Sequence, residues 1–261
     1  MNTKIIFFDI DGTILSHRTF QISDSTKAAI KQAKDNGHLT FINTGRTIAE
    51  IDHTITDVGF DGFVCGCGTS ISYHGNILLQ TTLPTDTTLQ LIKDLRELNI
   101  EAVLEGSKAI YFDHNSNSPL INELRNSQFI HNFNLLSWDS PDISIDKFCM
   151  WPNTEEGSAR FYEKYKDTFD FIDRDRRLYE VVPKNYSKAS GIEFLLSHLN
   201  IPHENTFALG DGPNDLPMLE YAKHSIAMEN APDDIKRIVS YVTKDVDHDG
   251  VAHALKHFNI I

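Results

Sequence analysis

Cysteine is scarce, with only Cys65, Cys67 and Cys149 in 261 residues. An odd, sparse count excludes a disulfide framework as the source of stability. Cys65-Gly66-Cys67 also lacks the spacing of a thioredoxin-like or zinc motif, so it reads as small buried side chains at a strand end. No apolar run approaches the roughly 18 residues that a membrane span needs. No basic, apolar and small-residue leader precedes the first apolar run, and the expected compartment is the cytoplasm. Basic residues are the minority, 24 against 37 acidic ones, for a net charge of −13. So acidic a chain suits neither nucleic acid nor an anionic lipid surface, and neither is expected as a partner. Repeats, low-complexity tracts and blocks of like charge are missing as well.

What is present is a globular composition. Hydrophobic residues make up 40% of the chain, enough for a sizeable core, and the length admits one large domain or two smaller ones. Residues 4–8 are almost wholly apolar and predict a buried parallel strand. Ser23 and Gly37 bracket a helix that turns Ala29, Ile30 and Ala33 inward. Residues 38–43 and 62–65 predict two more strands, with Ile48, Ile51 and Ile55 at helical spacing between them. This alternation is the grammar of an α/β fold with a Rossmann-like parallel sheet.

The grammar changes after residue 70. A hairpin is expected around His74-Gly75-Asn76, then a helix carrying Leu91, Ile92, Leu95 and Leu98. Strand-like runs follow at 101–104, 108–112, 143–150 and 179–182, with a helix at 155–166. Residues 116–151 give few other signals. From Lys188 the α/β pattern returns. Ile192, Leu195, Leu196 and Leu199 form a helical stripe, 206–209, 225–228 and 241–243 predict strands, and Asp249 is placed to cap a last helix. The expected organisation is a core of residues 1–81 and 183–261 interrupted by an α+β cap at 82–182.

Chemistry gathers at the predicted strand ends, where open α/β sheets place their sites. Asp9-Ile10-Asp11-Gly12-Thr13 leaves the first strand, and Gly12 permits close backbone approach to a ligand. Gly210-Asp211-Gly212-Pro213-Asn214-Asp215 leaves a later one. Either segment alone could be an ordinary polar turn. If Asp9, Asp11 and Asp211 converge, carboxylates about 4 Å apart repel by about 4 kcal/mol at an effective dielectric near 20. A divalent cation would relieve this, and all-oxygen ligation favours Mg2+ over zinc. Thr44-Gly45-Arg46 offers a hydroxyl, a glycine and free N–H groups before a helix, suited to phosphate, although a plain N-cap has the same letters. Lys188 opens a helix, an unfavourable place for a cation unless an anion accompanies it.

Taken in order, DIDGT (9–13), TGR (44–46), Lys188 and GDGPND (210–215) resemble the haloacid dehalogenase superfamily of phosphotransferases. The insert between the second and third segments, together with AMENAP (227–232) and DGVAHAL (249–255), is similar to the Cof-type branch with its large α+β cap. Gly66-Cys67-Gly68-Thr69 departs from the Asn-Gly-Ala or Asn-Gly-Ser of many relatives, and Thr47 stands where proline is frequent.

The resemblance implies that Asp9 is the nucleophile of an aspartyl-phosphate mechanism and Asp11 its general acid and base. It implies Mg2+ on the Asp9 carboxylate, the Asp11 carbonyl and Asp211, with Asp215 a further or water-mediated ligand. It places Gly12, Thr44, Gly45, Arg46, Lys188 and Asn214 around the phosphoryl oxygens. The expected substrate is a small-molecule phosphate ester, a hexose phosphate first. The cap, joined by crossings near Thr82 and Pro183, would close over the leaving group and choose it, with Glu105, Tyr111, His114 and Glu180 among its polar groups. A phosphomutase sharing the same site, or a non-catalytic phosphometabolite sensor, are the alternatives. His253 and His257 read as a solvated helix face, and Trp138 and Trp151 as packing.

Overall fold

The computed structural model describes residues 3–127, 133–174 and 177–261. The chain opens with β1 (Ile5–Phe8), in which every residue is buried. Helix α1 (Asp24–Asp35) starts where Ser23 accepts the Thr26 N–H, and it buries Ala29, Ile30 and Ala33. β2 (Leu39–Asn43) follows. The expected helix carrying Ile48, Ile51 and Ile55 is broken instead. Residues Ile48–Glu50 form one 3-10 turn, closed by a Thr47–Glu50 capping box, and Ile51 is extended. Only a short α2 (His53–Thr56) remains. Next come β3 (Gly62–Cys65), β4 (Ser70–Tyr73) and β5 (Asn76–Gln80). His74 and Gly75 both take positive φ, 47° and 77°, as a tight hairpin turn between twisted strands requires.

The insert begins with α3 (Thr85–Glu97), then β6 (Ile100–Glu105) and β7 (Ile110–Phe112). The stretch with few sequence signals holds α4 (Pro119–Asn126) and the three-residue β8 (Leu135–Ser137), too short for periodicity to announce. β9 (Lys147–Pro152) starts later than expected, α5 (Glu155–Tyr165) falls where predicted, and β10 (Phe169–Asp173) was not anticipated. β11 (Tyr179–Pro183) leads back to α6 (Lys188–Leu199). The chain ends through β12 (Thr206–Gly210), α7 (Leu216–Tyr221), β13 (His224–Ala227), α8 (Asp233–Ile238), β14 (Tyr241–Val242) and α9 (Gly250–His257). Asp249 precedes α9 but makes no capping bond. It takes φ 61°, and its carboxylate accepts the Ser25 hydroxyl instead.

Contacts divide the chain into two units. The first comprises residues up to Gly45, His53–Leu79 and Tyr186–Ile261; the second comprises Arg46–Asp52 and Gln80–Asn185. Among the described residues the first holds an eight-stranded sheet ordered β14-β13-β12-β1-β2-β3-β4-β5. It is parallel from β14 to β3, and β4 pairs antiparallel with β3. Ile192, Leu195 and Leu196 of α6 pack on Phe7, Phe41 and Val64. Each such side chain removed from water contributes about 1.5–3 kcal/mol.

Among the described residues the second unit holds a six-stranded sheet ordered β10-β11-β9-β6-β7-β8. Leu91 and Leu95 of α3 and Phe161 of α5 pack against Leu104, Phe148 and Val181 on one face. Alternate residues point the other way. There Val103, Ile110 and Phe112 meet Ile121 and Leu124 of α4. No helix of the described residues is long and apolar enough to cross a membrane.

Candidate active site

Strands β12, β1, β2 and β3 are parallel neighbours, so the residues that follow them emerge along one sheet edge. Asp211, Asp9, Thr44 and Gly66 occupy those positions. After β1 the chain turns tightly: the Ile10 carbonyl accepts the N–H groups of Thr13, Ile14 and Leu15. Gly12 takes φ 81° there, and a Cβ on it would lie 2.2 Å from Asp211 Oδ2. Glycine is what lets Asp211 approach the turn.

Lys188 is fully buried at the first position of α6, after the Ser187 cap. Its Nζ lies 2.6 Å from Asp9 Oδ1 and also pairs with Asp215 Oδ1. Asp215 Oδ2 accepts the N–H groups of Asp211 and Gly212, at 2.8 and 2.9 Å. Both Asp215 oxygens are therefore engaged in holding the lysine and the 211–212 backbone.

Asp211 is fixed through two residues that sequence reasoning did not assign. Thr13 Oγ1 donates to its Oδ1 at 3.1 Å, and Asn230 Nδ2 donates to its Oδ2 at 3.1 Å. The same Asn230 nitrogen donates to the Gly12 carbonyl at 2.8 Å, and its Oδ1 accepts the Val246 N–H. Asn230 belongs to the AMENAP segment, but nothing in its spacing gave it a partner.

Single oxygens of Asp9, Asp211 and Asp215 lie within 4.8 Å of one another. Burial, reinforced by Asp215 against the pull of Lys188, pushes the Asp9 carboxyl up to about 7. Burial and then Asp9 push Asp211 up to about 8. Burial works against the Lys188 ammonium, but Asp215 and Asp9 outweigh it and hold it charged. One ammonium, paired with Asp9 and Asp215 beside Asp211, does not balance three carboxylates when all are ionised, so a further cation fits here. The donors are all oxygen, which suits a hard divalent ion.

The other expected site residues are distributed as follows. Thr44 is buried, with its N–H on the Val64 carbonyl and its own carbonyl accepting the Cys67 N–H. Gly45 closes the core segment, while Arg46 groups with the second unit and directs Nη1 to the Glu50 carbonyl at 3.4 Å. Asn214 is buried in a 3-10 turn, and Asp11 is half-buried, bridging to Leu15. Cys67 is buried at φ 53° and is not part of a disulfide. His257 is exposed and stacks on Tyr241. His253 is half-buried rather than solvated, with Nδ1 3.1 Å from the Tyr241 hydroxyl. Trp138 is buried and donates to the Tyr111 carbonyl, a packing role as expected.

A family model described as haloacid dehalogenase-like hydrolase matches residues 6–255. Among relatives, YkrA of Bacillus subtilis (strain 168), provisionally named a phosphatase, is 30% identical over 264 residues and covers 100% of both chains. The 5-amino-6-(5-phospho-D-ribitylamino)uracil phosphatase YwtE of the same organism is 26% identical over 96% of each. A solved structure described as the HAD subclass IIB sugar phosphatase BT4131 superposes with a TM-score of 0.85 at 26% identity, over 99% of this chain and 100% of that one. With the order of its site segments, its Rossmann-like core and its α+β insert, the chain belongs to the Cof-type branch of the haloacid dehalogenase superfamily and is a phosphatase.

Proposed function

We propose that this phosphatase is magnesium-dependent, acts on small phosphorylated metabolites with sugar phosphates foremost, and works through an aspartyl-phosphate on Asp9. The observation that carries this reading is the Lys188 ammonium shared by Asp9 and Asp215 beside Asp211. A carboxylate so placed is oriented for attack, and the charge around it matches a phosphoryl group that needs neutralisation.

The Asp9 carboxylate attacks phosphorus and the bond to the ester oxygen breaks. Asp11 gives that oxygen its proton. Asp11 then takes a proton from water, the water oxygen attacks phosphorus, and the bond to Asp9 breaks to release inorganic phosphate. Asp9, the Asp11 carbonyl and Asp211 would hold Mg2+, with Asp215 beyond them. The ion would neutralise carboxylate and phosphoryl oxygens alike. Lys188, Thr44, the Gly45 amide and Asn214 bind the transferring oxygens, and Asn230 and Thr13 keep Asp211 in place. The insert chooses the leaving group.

The names of the relatives support the substrate class, since one acts on a sugar phosphate and one on a phosphorylated ribityl chain. The test is phosphate release from a panel of sugar phosphates, nucleotides and cofactor phosphates, with Mg2+ and with chelator. Undiminished turnover after exhaustive chelation refutes the metal assignment. An isomeric sugar phosphate in place of free phosphate makes the enzyme a mutase.

A further inference from the structure

β2 ends on Asn43, directly before the Thr44-Gly45 pair assigned to the phosphoryl group. Its side chain is fully buried, and Nδ2 donates to the Lys188 carbonyl at 2.9 Å, across 145 positions of sequence. Both residues belong to the first unit. The carbonyl partner fixes the amide's orientation, since it demands the NH2 end. Lys188 is the first residue of α6, so its carbonyl has a helical donor one turn on. The Asn43 bond is a second one, a tether from the sheet to the helix start.

The other end of the amide is left over. Asn43 Oδ1 is buried and meets no donor among the described residues. A buried polar atom without a partner costs free energy that an apolar side chain of the same shape avoids. Filling the space under α6 would therefore be done better by leucine. The tether is what the amide adds.

The first turn of α6 is seated by close contact on the same strand exits. Val64 of β3 lies beside Asn43 in register, and a Cβ on Gly191 of α6 would collide with it. A Cβ on Gly68 would collide with the Ser187 carbonyl oxygen. Such contacts stop the turn from coming nearer, and the Asn43 bond stops it from drifting away. Thr44 is fixed to the same place, with its N–H on the Val64 carbonyl. The stem of Lys188 is long and flexible, so the reach of its ammonium depends on where the stem begins. Asp9 and Asp215 hold the tip, and Asn43 holds the base.

We infer that Asn43 is a positioning residue: it anchors the base of Lys188 to the end of β2, so that the Thr44-Gly45 loop and the Lys188 ammonium face the phosphoryl group as one rigid body. The inference rests on the placement of Lys188 against that group.

The test compares full-length Asn43→Leu and Asn43→Ala with wild type and Lys188→Ala, all with Mg2+. The readouts are kcat and KM on p-nitrophenyl phosphate, the inhibition constant of inorganic phosphate, Mg2+ affinity by calorimetry, and Tm. Asn43→Leu should lower kcat about tenfold and weaken phosphate inhibition about tenfold, as a misplaced charge does. Its Mg2+ affinity should stay within about twofold, because Lys188 is not a proposed ligand of the ion. Its Tm should hold or rise, since the partnerless oxygen goes with the amide. Asn43→Ala should show the same kinetic pattern. Wild-type kcat and phosphate inhibition in a folded variant overturn the inference. So does a parallel loss of Mg2+ affinity, the mark of a site loosened as a whole, and so does failure of both variants to fold. Wild-type turnover by Lys188→Ala is a different failure, since it removes the reading of the phosphate site itself.

Discussion

Lys188 Nζ stands 2.6 Å from Asp9 Oδ1, although 179 residues separate the two in sequence. The contact joins the exit of the first core strand to the first residue of the helix that follows the insert. It gives the buried carboxylate a fixed direction. Lys188 pairs with Asp215 as well, so losing the ammonium strands two buried carboxylates, whereas losing the Asp9 charge leaves the lysine a partner.

Asp9→Asn should abolish turnover, by at least about a thousandfold, while the protein stays folded. The amide is not a nucleophile, yet it keeps the shape and still accepts a hydrogen bond from Lys188. Phosphate release by a variant with a native circular dichroism spectrum is the measurement, and near wild-type rates would end the aspartyl-phosphate mechanism.

Lys188→Ala should reduce kcat/KM by a hundredfold or more, and His257→Ala by less than about twofold, since His257 sits on an exposed helix surface. The lysine variant should also be destabilised, because breaking a buried pair from one side typically costs about 3–5 kcal/mol. Lys188→Arg should not restore activity, as a guanidinium fork does not fit a site shaped around one nitrogen. Urea unfolding beside steady-state kinetics separates the two effects, and equal small losses for Lys188→Ala and His257→Ala would misplace the phosphate site.

Asn230→Ala should weaken Mg2+ binding about tenfold. The side chain ties Asp211 to the Gly12 carbonyl and to the Val246 N–H, so its loss frees the proposed Mg2+ ligand to wander. Calorimetric titration with Mg2+ reads this directly. Unchanged affinity would reduce Asn230 to a loop contact.

In the cation-free protein, stability should fall as pH rises from about 4 to about 8. The carboxyls of Asp9 and Asp211, pushed up to about 7 and about 8, keep protons that the unfolded chain, titrating near pH 4, has released. The native state then binds more protons than the unfolded state, which makes the slope negative. Mg2+ replaces those protons, so the melting-temperature gain on adding it should grow with pH. Melting curves at pH 5 and 8, in chelator and in excess Mg2+, supply the check; a gain that shrinks with pH contradicts it.

Much of the fold could be read along the chain. The apolar run at 4–8, the Ser23 cap and the stripe through Ile192, Leu195 and Leu196 are local patterns, and local patterns fix local structure. The carboxylates at strand exits were legible for the same reason: a charge directly after a buried strand has one place to go. Short elements were not legible, because β8 has too few residues for a period. The break after Ile48–Glu50 was hidden too, since apolar spacing alone does not reveal a Thr47–Glu50 capping box. Above all, sequence could not say which distant groups meet. That Asn230 clamps Asp211, that Lys188 bridges Asp9 and Asp215, and that Asn43 reaches the Lys188 carbonyl depends on strand order and registry. Pairing is set by the packing of whole faces, and no window of neighbouring residues contains it.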